Sequence, residues 1–72
     1  MESLVREKME RILRGELRYV STNLAFNMMI TKMQKRLQSG SGGMDSCMAE
    51  LDEFLKKYPI VAKVDLANIA AL

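Results

Sequence analysis

Histidine and tryptophan are absent from this chain, and cysteine and proline occur once each. Without histidine there is no imidazole to act as a general base. With one thiol there is no set of nitrogen and sulfur ligands for zinc. A single cysteine, Cys47, also excludes an internal disulfide, although a chain this short buries only about 60% of the surface its unfolded form exposes. An unpaired thiol suits a reducing compartment and points to an intracellular setting. No cation stands close to Cys47 in sequence to activate it, so it reads as a small apolar side chain at a helix start.

Long apolar runs are missing as well. The longest, 24–30, is interrupted by Asn27 and is far short of the ~20 residues that span a bilayer. The N-terminus carries Glu2, Arg6, Glu7 and Lys8 and lacks the apolar centre of a signal peptide. The glycines at 40, 42 and 43 have no strand before them and no lysine after them, so they do not form a phosphate loop. Asp52 and Glu53 read as a solvated pair. From these absences we expect no enzyme, no cofactor and no metal.

What is present is helical patterning on both sides of one unusual run. Residues 39–43 read Ser-Gly-Ser-Gly-Gly and are followed at once by Met44. Small residues in such a row behave as a flexible tether, and this one reads as an artificial linker joining 1–38 to 44–72. A native glycine-serine loop is the alternative. Charge divides along the same line: 1–38 has eight basic and four acidic side chains, whereas 44–72 has three and five, within a net charge of +2. Opposite charge on two tethered segments is what partners need.

Within 1–38, apolar residues recur at Val5, Met9, Leu13, Leu17, Val20, Leu24 and Met28. Gaps of three and four are helical spacing, and the phase carries across Gly15. We therefore predict one long amphipathic helix, with a break near Gly15 or at Ser21-Thr22-Asn23 as the alternative. Glu2 and Arg6, Glu7 and Arg11, and Glu10 and Arg14 stand four apart with the acid first, the favourable orientation on a solvated helix face. Beyond Val20, Tyr19, Phe26, Met29, Ile30, Met33 and Leu37 add a second stripe, which requires a second neighbour. A continuous helix over 2–38 would be roughly 55 Å long at about 1.5 Å per residue, too long for the rest of the chain to cover. That length predicts a homodimer.

In 44–72 we predict a helix over 45–57 capped by Asp45, a stop at Pro59, and a short helix over 65–72 capped by Asp65. The fold class is all-α: a small helical bundle completed by dimerisation. The linker suggests a fused complex of two partners; because 65–72 joined to Glu2 would read as one amphipathic helix, a circular permutant is an alternative, and a native chain is the third.

The function this predicts is a protein–protein interaction or oligomerisation module with helix-in-groove recognition. Met48, Leu51, Phe54, Leu55 and Tyr58 would pack against Leu24, Phe26, Met28, Ile30 and Met33, with Met29 on the same surface. Methionine's unbranched side chain suits adaptable helix-binding surfaces. One alternative is a nucleic-acid contact through Arg11, Arg14 and Arg18, spaced along one helix face. Glu7 and Glu10 interrupt that stripe, and the isoelectric point near 8.9 is modest, so a solvated face is the stronger reading. A self-assembling dimer with no other ligand is a further alternative.

Overall fold

Gly15 ends the first helix. The computed structural model describes all 72 residues as four helices: α1 (Ser3–Leu13), α2 (Leu24–Ser39), α3 (Met44–Lys57) and α4 (Pro59–Ala70). Gly15 takes φ +80°, a left-handed conformation that costs residues with a Cβ about 1–2 kcal/mol. Its N–H bonds to Ile12 O at 3.0 Å while Glu16 N–H bonds to Arg11 O at 2.8 Å. This pair of bonds is the Schellman stop. Gln34 Nε2 then donates to Ile12 O at 2.9 Å, binding the same carbonyl from α2.

The long continuous helix predicted for 1–38 is therefore corrected to two helices and a return segment, 14–23. The predicted stripe kept its phase by coincidence. Leu17 is only half-buried, and Val20 and Leu24 are 72% and 73% exposed. Ser21, Thr22 and Asn23, poor helix formers, restart the chain: Asn23 Oδ1 accepts from Phe26 N–H at 3.0 Å, and Ser21 Oγ accepts from Asn23 N–H at 2.9 Å. Asn27 closes the turn, donating to Ser21 O and accepting from its N–H.

The 39–43 run carries the chain from α2 into α3. Ser39 is the last residue of α2, and Gly40 repeats the left-handed stop at φ +72°. Gly43 is the N-cap of α3; Asp45 lies inside the first turn, where it accepts from Arg6 Nη2 at 3.2 Å instead of capping. Tyr58 leaves the helical region at φ −124° and ψ 73°, as a residue before proline must. The stop falls where predicted, α3 ending at Lys57, and Pro59 itself occupies the first turn of α4, where its missing N–H costs nothing. The predicted helix over 65–72 thus begins six residues earlier, at Pro59, and Asp65 is a buried residue within it rather than its cap.

Side-chain partners fix the directions. Arg6 meets Asp45 at the start of α3, while Met1 borders a hollow with Leu55 and Lys56 at its end, so α1 runs against α3. Phe26 meets Phe54, and Arg36 meets Glu50, so α2 also runs against α3. Met1 lies near Ala62 and Leu66, whereas Lys8 Nζ donates to the carbonyls of Ala70 and Leu72 at 2.7 Å. Hence α1 and α4 lie side by side in the same direction. Lys8 also supplies the cation that the last turn of α4 lacks. Thirteen apolar side chains from all four helices form one core, and no buried side-chain N or O lacks a hydrogen-bond partner. The molecule measures 30 × 23 × 21 Å, so the folded-back chain removes the uncovered 55 Å helix that motivated a dimer.

Candidate protein-interaction surface

The residues predicted to form one interface divide between an internal seam and an outer strip. Phe26, Ile30 and Met33 face inward from α2, and Met48, Leu51 and Leu55 face inward from α3; all six are buried in the core. Met29 and Phe54 are half-buried. Leu24, Met28 and Tyr58 are exposed by 73%, 64% and 46%, so they do not join the seam as predicted. Alternation explains this: on α2 the 26, 30, 33 row faces the core, which turns 24 and 28 outward.

An aromatic ladder spans the seam. The rings of Phe26 and Phe54 stack at 5.8 Å with planes 18° apart, and Phe54 and Tyr58 lie at 4.6 Å and 33°. Outside this ladder a groove of about 500 Å³ runs between α2 and α3, with Met29, Ala49, Phe54 and Tyr58 on its walls and Glu50, Glu53 and Lys57 at its rim. Arg36 donates to Glu50. That hydrogen bond, helped by the charges of Arg36 and Lys32, holds the Glu50 carboxyl below the usual carboxylate range. Glu53 is bonded by Lys56 at 3.2 Å. A second hollow of about 460 Å³ lies on the outer face of α2, bordered by Leu24, Met28, Thr31, Lys32 and Lys35.

No family model matches this chain. Comparisons with curated proteins and with solved structures likewise found no match. The functional reading therefore rests on the geometry alone.

The arginine stripe does not form. Since α1 stops at Leu13, Arg18 lies in the return segment and shares no helix face with Arg11. Arg11 and Arg14 both turn to Glu16, at 3.6 and 3.0 Å. The Arg14 hydrogen bond foremost draws the Glu16 carboxyl below its ordinary range. The predicted i, i+4 pairs with the acid first are replaced as well: Arg6 pairs forward with Glu10 at 3.2 Å. No group of three or more potential ligands could hold a metal ion, no helix is long and apolar enough to cross a membrane, and Cys47 is fully buried.

Two features escaped the sequence reading. Tyr19 Oη donates to the buried Asp65 carboxylate, tying the return segment to α4. Burial first, then this bond, pushes the Tyr19 phenol up to about 12. Forty-six positions separate the two residues, and no local pattern links them. The second feature is the outer face of α4, where Ile60, Val64, Ala67 and Ala71 are all exposed. Their spacing of four, three and four was a readable signal, masked by the prediction that helix would begin only at residue 65.

Proposed function

We propose that the chain is a protein-association module in which 44–72, the α3–α4 hairpin, docks on 1–38 and the 39–43 turn tethers the two. The division of the core carries this reading. Seven of its thirteen residues come from 1–38 and six from 44–72, so neither segment has a core of its own to close. Charge agrees, since Arg6 to Asp45 and Arg36 to Glu50 both cross between the segments. A short tether supplies an effective concentration in the millimolar range, enough to turn a weak complex into a fold. The reading holds whether the two segments began as separate partners, as one permuted chain or as one native chain. It assigns no catalysis and no cofactor; the single unpaired thiol, Cys47, supports a reducing, intracellular setting.

The test uses peptides 1–38 and 44–72 made separately. Each alone should be largely unfolded by circular dichroism. Mixing them at about millimolar concentration should restore helicity and a cooperative thermal transition. Two spectra that simply add would overturn the proposal.

A second reading is favoured by the α4 stripe. In an antiparallel two-fold pairing of α4 with a second copy, Ile60 would meet the partner's Ala71 and Val64 the partner's Ala67. Large against small is the complementarity that close helix packing requires. This would make the module a homodimer through α4.

A further inference from the structure

We infer that the outer strip of α2 and the adjoining α2/α3 groove form a docking site for an acidic amphipathic helix of a partner protein. The apolar contact is already laid out. Leu24 and Met28 stand one turn apart and exposed on α2, and Met29, Phe54 and Tyr58 line the groove beside them. On α2, Lys32 stands one turn from Met28, in the outer hollow, and one turn from Arg36, which pairs with Glu50 at the rim of the groove. Methionines at the junction repack around different side chains, as adaptable helix-binding surfaces do.

Charge selects the occupant. Lys32, Lys35 and Lys57 border these hollows, and none of them forms an ion pair. The acids at the rim are already engaged, Glu50 by Arg36 and Glu53 by Lys56. The unanswered charge is therefore positive, and a helix with Asp or Glu flanking an apolar stripe complements it. An anionic bilayer would meet the same lysines, but it would also press on Glu50 and Glu53, and a flat surface leaves the groove unfilled. A second copy bound through this face would bring six unpaired lysines into one interface, which is repulsive. The site belongs to the folded chain, so it does not depend on how the two segments associate when separated.

The experiment uses the full chain and two fluorescein-labelled peptides of about 18 residues, long enough for five helical turns. Both have the same leucine and phenylalanine stripe; one is flanked by glutamates and the other by lysines. Fluorescence anisotropy should give about tenfold tighter binding of the glutamate peptide, the discrimination that a few charge pairs supply. The triple change K32E, K35E and K57E should reverse the preference. Met28→Asp should weaken both peptides while leaving the melting temperature unchanged, because Met28 supports no core contact. Equal affinity for the two peptides, no binding, or a preference indifferent to the triple change would each overturn the proposal. So would tighter binding to phosphatidylserine vesicles than to either peptide, or a doubled mass that Met28→Asp returns to one chain. None of these outcomes bears on whether 1–38 and 44–72 recombine, which is read without any third peptide.

Discussion

Asp65 is the one charged residue buried in the protein, and Tyr19 is what makes that burial tolerable. A buried carboxylate without a donor bears its desolvation cost uncompensated. Tyr19→Phe removes the phenolic donor and should destabilise the fold by about 2 kcal/mol, the cost of losing a hydrogen bond to a charged group. Urea unfolding at neutral pH measures it. The pH dependence has a definite sign. Folding raises the Tyr19 pKa from 10.0 to about 12, so the folded state favours the protonated phenol. Its contribution is complete below pH 10.0 and is lost as pH rises through about 12. Wild-type stability should fall across that window, and the Tyr19→Phe protein should lose this component of the fall. A pairing of this kind is invisible in sequence because its partners are remote. The burial of Cys47, by contrast, was legible from a thiol with no cation near it in sequence; that the fold brings Arg36 beside it was not.

At the scale of elements, the two left-handed glycines decide where the chain turns. Gly15→Ala and Gly40→Ala should each destabilise by about 1–2 kcal/mol, since alanine disfavours positive φ. Neither site is crowded, as a Cβ there would meet nothing within 4 Å, so the cost is conformational alone. Gly43→Ser is the control. Its φ is −94° and it caps α3, so serine should be neutral or stabilising by a few tenths of a kcal/mol. Thermal melts of the three variants give the comparison. The existence of helix on both sides of 39–43 was legible from periodicity. Continuity across Gly15 was not, because periodicity records apolar spacing and not whether anything covers it; Val20 and Leu24 kept the phase and ended exposed. Pro59 was legible as the stop of α3 because it constrains Tyr58; the immediate restart was not, although the same ring is pre-set for the first turn of a new helix.

For the whole molecule, the burial of Phe26, Ile30 and Met33 on α2 and of Met48, Leu51 and Leu55 on α3 was legible from their helical spacing, and all six lie in the core. Leu24, Met28 and Tyr58 were not separable from them in sequence, since placing them outside requires knowing where α1 folds back. That fold-back also transfers the case for self-association from α2 to α4. Light scattering after size exclusion at micromolar concentration should give twice the 8.2 kDa chain mass, and Val64→Glu should restore a single chain. A wild-type mass of one chain would remove the α4 pairing. The side-by-side placement of α1 and α4 has a kinetic consequence of its own. Lys8 reaches carbonyls 62 and 64 positions away, so nearly the whole chain must be gathered before its two ends can meet. Helical proteins of low contact order fold fastest, and this closure is the contact that works against that speed. Once made, it couples the two terminal helices, so that releasing one uncovers the buried face of the other.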